Sequence, residues 1–238
     1  MLTLAGTLFV GMLAGLWHAL EIDHVAAVSS LVSAKSSRRA MVQHGIVWGI
    51  GHASTLFAVT VFIIMTNWVI RESASLWLEF AVGVMLLGLG LHVLWRLWTN
   101  KLHMHLHQHE ASVPHLHFHS HLHDSFPHGV SLHHHAHKRF PMRALAVGVM
   151  HGMAGSAALV VLTAISTGSL VGTLAYVAVF GIGSILGMAL LSAVLAVPLS
   201  WTAKYLLVGN RIIQLTIGMV TISVGLMLVY TTKLHLIF

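Results

Sequence analysis

Four side chains that can bind metal ions lie close together near the start of the chain. The stretch GLWHALEIDHVAAV, residues 15–28, contains His18, Glu21, Asp23 and His24 within seven residues of an otherwise apolar sequence. On a continuous helix, at about 100° per residue, the two histidines and Glu21 share one face. Asp23 points elsewhere, so either it meets another helix or the helix is distorted here. The residue types and their spacing predict a site for a divalent metal ion.

Two further histidines lie at a similar depth in later apolar segments. His52, in the sequence GIGHAST, lies eleven residues from the start of its segment, which is about 16 Å along a helix. His151 lies eight residues past Arg143, or about 12 Å, and Asp23 lies twelve residues before Lys35, or about 18 Å. Imidazole and carboxylate ligands without thiolate suit Ni²⁺ or Co²⁺, and Zn²⁺ fits the same donors. The six predicted metal-site residues are His18, Glu21, Asp23, His24, His52 and His151.

The composition is that of a membrane protein with several spans. Of the 238 residues, 57% are hydrophobic and 8% are charged, and the mean hydropathy is +0.86, whereas soluble domains carry roughly 25% charged residues. Cysteine is absent, so a metal site has to use histidine, carboxylate, methionine or backbone ligands. An ionised carboxylate inside a membrane costs at least about 2.5–3.5 kcal/mol, so Glu21 and Asp23, which lie deep within a predicted span, indicate a functional site.

Six apolar stretches are long enough to cross a bilayer, which takes roughly 20 residues as a helix. We therefore expect an all-α integral membrane fold with six transmembrane helices. A polar, histidine-rich loop separates the third stretch from the fourth. The stretches lie at about 2–30, 41–66, 75–97, 143–165, 169–199 and 211–231.

The basic residues predict which ends of the spans face the cytoplasm. With six spans the connecting loops alternate sides, and all Lys and Arg except Arg71 and Lys233 then lie on one side. Because positive residues favour the cytoplasmic face, we expect both termini outside, the histidine-rich loop inside, and a place in the cytoplasmic (inner) membrane. The basic pI of about 10.2 comes from these short loops, so it predicts contact with the lipid bilayer and not with nucleic acid.

The two halves of the chain resemble each other. GLWH at 15–18 is matched by GVMH at 148–151, and VWGIG at 47–51 by VFGIG at 179–183. A pair of glycines seven residues apart recurs as well, and the three offsets are 133, 132 and 135 residues. Since each half has three spans, two such repeats must be inverted in the membrane, as in transporters that bind substrate where the repeats meet. The predicted parts are a first three-helix repeat, a histidine-rich cytoplasmic loop and a second three-helix repeat, at 1–100, 101–140 and 141–238.

Fourteen of the 21 histidines lie between residues 103 and 137, many of them in alternating H-x-H sequence. This composition is typical of metal-binding low-complexity segments. Because an imidazole tract binds most borderline metals, we expect an accessory role, in which the loop receives or buffers the ion and offers a contact for a cytoplasmic metallochaperone. The predicted accessory ligands are His103, His105, His107, His109, His115, His117, His119, His121 and His123.

These motifs resemble those of the nickel/cobalt transporter family. HALEIDH, residues 18–24, is similar to the family signature H-x4-D-H, whose fuller form H-A-x-D-A-D-H has an aspartate where this chain has Glu21. GIGHAST is similar to the second motif, L-G-H-S-T, with Ala53 in place of serine. The resemblance implies metal recognition and transport by His18, Asp23, His24 and His52.

The second half departs from the larger members of that family, whose later spans carry acidic motifs. HGMAGSAAL at 151–159 and GIGSILGMALL at 181–191 contain no acidic residue. In this respect the chain resembles the shorter branch, which is similar to urease accessory nickel permeases and nickel/cobalt efflux proteins. The resemblance leaves the direction of transport open, and His151 is a predicted ligand through its pairing with His18 in the repeat.

Uptake of Ni²⁺ or Co²⁺, with no prosthetic group and no catalysis, is the leading interpretation, and efflux through the same fold is its first alternative. A membrane metalloenzyme of the His-box type is a second alternative. Such enzymes need many ligands on ordered helices, and only seven histidines lie outside the loop. A third alternative is a membrane-anchored metal buffer in which the loop is the functional part.

Overall fold

The computed structural model is a bundle of helices, with one pair of short strands in the histidine-rich segment. It describes residues 4–33, 35, 37–66, 72–99, 103–107, 115–119, 141–153 and 169–237. In these ranges the elements are α1 Leu4–His18, α2 Ile22–Ser33, α3 Arg38–Thr66, α4 Glu72–Thr99, β1 His103–His107, β2 His115–His119, α5 Met142–Gly152, α6 Leu170–Tyr205 and α7 Leu207–Ile237.

Four of these helices, α3, α4, α6 and α7, are long and apolar enough to cross a membrane. They contain the stretches predicted at 41–66, 75–97 and 211–231, and all but residue 169 of the stretch predicted at 169–199. Large apolar side chains cover the outside of the bundle, as on helices surrounded by lipid; examples are Phe9, Met65, Leu91, Val171 and Met227.

The first predicted span, 2–30, is two helices and not one. α1 and α2 meet at an angle of 58°. Between them the backbone makes tighter bonds across three residues, from Leu20 N to the Trp17 carbonyl at 2.8 Å and from Glu21 N to the His18 carbonyl at 3.1 Å. Such bonds end an α-helix, so the helix is distorted beside Asp23, which is one of the two alternatives that the sequence left open.

The fourth predicted span, 143–165, is described only in its first part. α5 runs from Met142 to Gly152, and residues 154–168 lie outside the described ranges. The strands β1 and β2, which the sequence did not predict, pair antiparallel with His103 opposite His119 and His107 opposite His115.

The most extensive helix contacts join a helix from the first half of the chain to one from the second half. α1 and α3 both pack along α6, α5 packs along α3, and α4 packs along α7. The short α2 lies inside the bundle, in contact with α3, α4, α6 and α7. Its side chains join the main core, which includes Val28, Trp48, Leu86, Ala144 and Met188.

Glycines at matching places in the two halves let these helices approach closely. A Cβ atom on Gly15 of α1 would lie 2.9 Å from the backbone carbonyl carbon of Phe180 on α6. A Cβ atom on Gly148 of α5 would lie 3.0 Å from the carbonyl carbon of Trp48 on α3. Neither position has room for a side chain, so both contacts bring one backbone directly against another.

Basic residues gather at one end of the bundle. Lys35 lies between α2 and α3, and its pKa is lowered, first by partial burial and then by the positive charges of Arg96 and Arg143. These residues come from three separate parts of the chain. Their proximity places the α2–α3 connection, the end of α4 and the start of α5 at the same end of the bundle.

Candidate metal centre

The six residues predicted to form a metal site lie together at the bend between α1 and α2. The ring centroids of His18 and His24 are 4.3 Å apart, and those of His24 and His151 are 4.2 Å apart. His52 of α3 lies 5.2 Å from the His18 ring by the same measure. All four histidines are buried, while Asp23 is 25% exposed and Glu21 is 45% exposed. The bend is what turns the first residues of α2 towards α3 and α5.

Asp23 holds two of the histidine rings. Its Oδ1 accepts a hydrogen bond from His24 Nδ1 at 2.9 Å, and its Oδ2 accepts one from His151 Nε2 at 3.0 Å. An ionised carboxylate can only accept, so both of these ring nitrogens carry a proton. In a neutral ring the other nitrogen, His24 Nε2 or His151 Nδ1, is then unprotonated, and both of these atoms are buried without a hydrogen-bond partner among the described residues.

Glu21 holds a third ring. Its Oε1 accepts a hydrogen bond from His18 Nδ1 at 2.8 Å. The same argument makes His18 Nε2 the unprotonated nitrogen, and it lies 3.2 Å from His52 Nε2. Carboxylates that bind the far nitrogen of a histidine in this way fix its tautomer and orientation at metal sites.

Two groups of three side chains could each surround a metal ion. His18, His24 and His52 form the first, and Asp23, His24 and His151 form the second; in each, one donor atom per residue lies within 4.8 Å of the others. Two nitrogens bound tetrahedrally to one ion at about 2.0–2.1 Å are about 3.3 Å apart. The 3.2 Å between the Nε2 atoms of His18 and His52 agrees with that separation.

Aromatic side chains that the sequence did not single out pack around the cluster. Trp48, fully buried on α3, has its ring 5.4 Å from His24 and 5.6 Å from His151. Phe180 of α6 lies 5.3 Å from His18. Trp48 lies four residues before His52, so its position one helical turn from that predicted ligand is the sequence signal that could have found it. These rings pack against the imidazoles and help to bury them.

The predicted accessory ligands are not part of this cluster in the described chain. His103, His105, His107, His115, His117 and His119 lie on β1 and β2, for which the structure describes the backbone course only. His109, His121 and His123 lie outside the described residues. Their role stays a prediction.

Comparison with known proteins identifies the chain's relatives. The family described as NicO, high-affinity nickel-transport protein, matches residues 4–237. The chain belongs to the NicO family. It is also 32% identical over 227 residues to the urease accessory protein UreH of Bacillus sp. (strain TB-90), and the alignment covers 95% of this chain and 92% of that protein. No solved structure gives a significant match.

Membership of the NicO family confirms the resemblance carried by HALEIDH and GIGHAST. The protein is a multi-pass membrane transporter of metal ions and not an enzyme, so the metalloenzyme interpretation is excluded. Its substrate is a divalent metal ion, and the family description points to nickel.

Proposed function

We propose that Ni²⁺, or Co²⁺, is taken up across the cytoplasmic membrane through the cluster at the bend between α1 and α2. The observation that supports this most directly is the group His18, His24 and His52, whose donor atoms lie within 4.8 Å of one another in the buried part of the bundle. A set of buried neutral imidazoles with carboxylates beside them is suited to a borderline divalent ion. In this proposal the ion is the cargo, and it is bound only in passage.

The residues of the cluster divide into ligands and residues that position ligands. His18, His24 and His52 bind the ion through nitrogen. Glu21 and Asp23 orient His18 and His24 through the hydrogen bonds of 2.8 and 2.9 Å, and their negative charges offset that of the ion in a medium of low dielectric constant. The second group, Asp23, His24 and His151, offers a neighbouring position that shares His24.

The proposed architecture is two inverted repeats, residues 1–100 and 141–238, joined by the histidine-rich segment 101–140. Contacts that recur between the halves support it. A Cβ atom on Gly51 would lie 3.1 Å from Val149 N, and one on Gly183 would lie 3.2 Å from Leu16 N. Gly183 lies 132 residues after Gly51, and Val149 lies 133 residues after Leu16, so the two contacts are related by the offset of the repeat. The contact of α1 with α6 corresponds in the same way to that of α5 with α3.

The proposed orientation puts the basic end of the bundle on the cytoplasmic side of the inner membrane. This end is marked by Lys35, Arg96 and Arg143. Both termini are then outside. A divalent ion that enters gains about 4.6 kcal/mol per 100 mV of membrane potential, at about 2.3 kcal/mol per charge, so uptake can proceed without ATP. The histidine-rich segment then lies on the side where the ion arrives, where it would buffer the ion or pass it to a metallochaperone.

Flux into sealed liposomes tests this function. The purified protein is reconstituted, and uptake of Ni²⁺, Co²⁺ and Zn²⁺ is followed separately under an inside-negative potential. We expect saturable Ni²⁺ flux that Asp23→Ala abolishes and that His92→Ala leaves unchanged, because His92 is exposed on α4 and outside the cluster. Flux only under an outward gradient would favour efflux. Absence of flux, with metal still bound to the protein, would favour the buffer interpretation and contradict transport through the cluster.

A further inference from the structure

A cavity at the basic end of the bundle combines positive charge with exposed aromatic rings. It has a volume of about 710 Å³ and lies where α3 begins and α6 ends. Its lining residues are Arg38, Ser200, Trp201, Lys204, Tyr205 and Leu206. None of them belongs to the metal cluster, and none carries a negative charge.

The two cations of this cavity are not neutralised within the described chain. Arg38 Nε donates a hydrogen bond to Ser200 Oγ at 2.7 Å, which holds the guanidinium in place while its other four N–H groups remain as donors. Lys204 Nζ lies 5.0 Å from the centre of the Tyr205 ring. No described carboxylate pairs with either side chain. The cavity therefore presents a fixed guanidinium and an ammonium to an anion.

The other lining residues indicate what is attached to that anion. Trp201, Tyr205 and Leu206 are each about half exposed to the surroundings. Tryptophan and tyrosine are enriched where a membrane meets water. In the proposed orientation this end of the bundle is cytoplasmic, the side on which basic pockets bind anionic lipid headgroups. The positive charges of Arg38 and Lys204 alone would be enough to bind a free phosphate. The apolar rings, in contrast, suit the glycerol and upper acyl chains of a lipid.

We propose that this cavity binds the headgroup of an anionic phospholipid. Arg38 and Lys204 contact the phosphate, and Trp201 and Tyr205 pack against the glycerol region. Because Arg38 belongs to α3 and Lys204 to α6, a bound lipid joins the ends of two helices that pack along each other in the membrane.

Native mass spectrometry of the full-length protein tests the proposal. Phosphatidylglycerol and phosphatidylcholine are titrated separately onto delipidated wild type, Arg38→Gln/Lys204→Gln, and a control, Arg39→Gln/Lys233→Gln, with the same change in charge outside the cavity. Each basic residue near a membrane surface contributes about fivefold to binding. We therefore expect the first variant to bind phosphatidylglycerol roughly 30-fold more weakly than wild type and the control to stay within about twofold. Wild type should prefer phosphatidylglycerol.

Three results would overturn the proposal. They are an equal loss in both double variants, no preference of wild type for phosphatidylglycerol, or full displacement of the lipid by millimolar inorganic phosphate, which would assign the cavity to free phosphate. If the double variant does not remain monodisperse, Lys204→Gln alone is compared with Lys233→Gln. The expected loss is then about fivefold, and equal binding of the lipid by these two variants contradicts the proposal.

Discussion

Replacing Asp23 by asparagine should disturb the orientation of His24 and His151 while the rest of the fold stays intact. Asp23 accepts hydrogen bonds from His24 Nδ1 at 2.9 Å and from His151 Nε2 at 3.0 Å. An asparagine side chain has one accepting oxygen and one donating NH₂ group. One of the two rings would therefore lose its acceptor or have to change its tautomer, which puts a proton on the nitrogen that we assign to the ion.

The size of this effect follows from the hydrogen bond that is lost. A hydrogen bond to a charged group contributes about 1.5–3 kcal/mol, which at about 1.4 kcal/mol per factor of ten corresponds to a 10- to 100-fold weaker affinity. Loss of a carboxylate behind a metal-binding histidine falls in the same range. We therefore expect Asp23→Asn to bind Ni²⁺ about 10- to 100-fold more weakly than wild type.

Isothermal titration calorimetry in detergent measures this affinity, on protein that lacks residues 103–137 so that the histidine-rich segment does not contribute. Glu79→Gln is the matched control, because it makes the same chemical change on α4, at a carboxylate with no described hydrogen bond to the histidines of the cluster. Circular dichroism and gel filtration establish that both variants fold. Wild-type affinity in a folded Asp23→Asn protein, or an equal loss in Glu79→Gln, would refute the role that we assign to Asp23.

Three further predictions follow from the same structure. Glu21→Gln should weaken Ni²⁺ binding less than Asp23→Asn does, because Glu21 is 45% exposed and holds one ring instead of two; calorimetry on both variants checks this, and the reverse order contradicts it. Gly148→Ala should lower the stability by about 1–3 kcal/mol, since its Cβ would lie 3.0 Å from the Trp48 backbone. Gly88→Ala, where a Cβ meets nothing within 4 Å, should not destabilise the protein, and thermal unfolding in detergent compares the two. Excess Mg²⁺ should leave Ni²⁺ flux unchanged while Co²⁺ competes, because Mg²⁺ prefers oxygen ligands; inhibition of liposome flux by Mg²⁺ would contradict an imidazole site.

The clustering of histidines and carboxylates could be predicted from the sequence because such residues are uncommon in apolar spans. Histidine and carboxylate are costly in an apolar span, so His18, Asp23 and His52 stand out without any knowledge of the fold. The long helices could be predicted as well, because a run of twenty or more apolar residues is typical of a membrane-spanning helix.

The bend between α1 and α2 could be predicted only as one of two alternatives. The sequence HALEIDH contains no glycine or proline, so the helical periodicity reads as continuous through His18 and His24. The break is favoured by a tertiary contact. It lets Asp23 form a hydrogen bond of 3.0 Å with His151, which lies 128 residues further along the chain. A contact of that separation is not encoded in any local pattern.

The packing role of Trp48 was missed for a related reason. In the sequence Trp48 is one more apolar residue within VWGIG, a stretch whose pattern indicates only its place in a repeat. In the fold its ring packs beside both His24 and His151, which belong to other helices. A single sequence gives no indication of which face of α3 meets α2 and α5.

Ni²⁺ flux into liposomes through protein that lacks residues 103–137, with and without His24→Ala, tests the central claim most directly. His24 belongs to both groups of donor atoms, so its loss removes a ligand from either position of the ion. The account predicts that the shortened protein still transports Ni²⁺ and that His24→Ala abolishes this transport. Loss of transport on shortening alone, in folded protein, would contradict it, and so would transport that persists after His24→Ala.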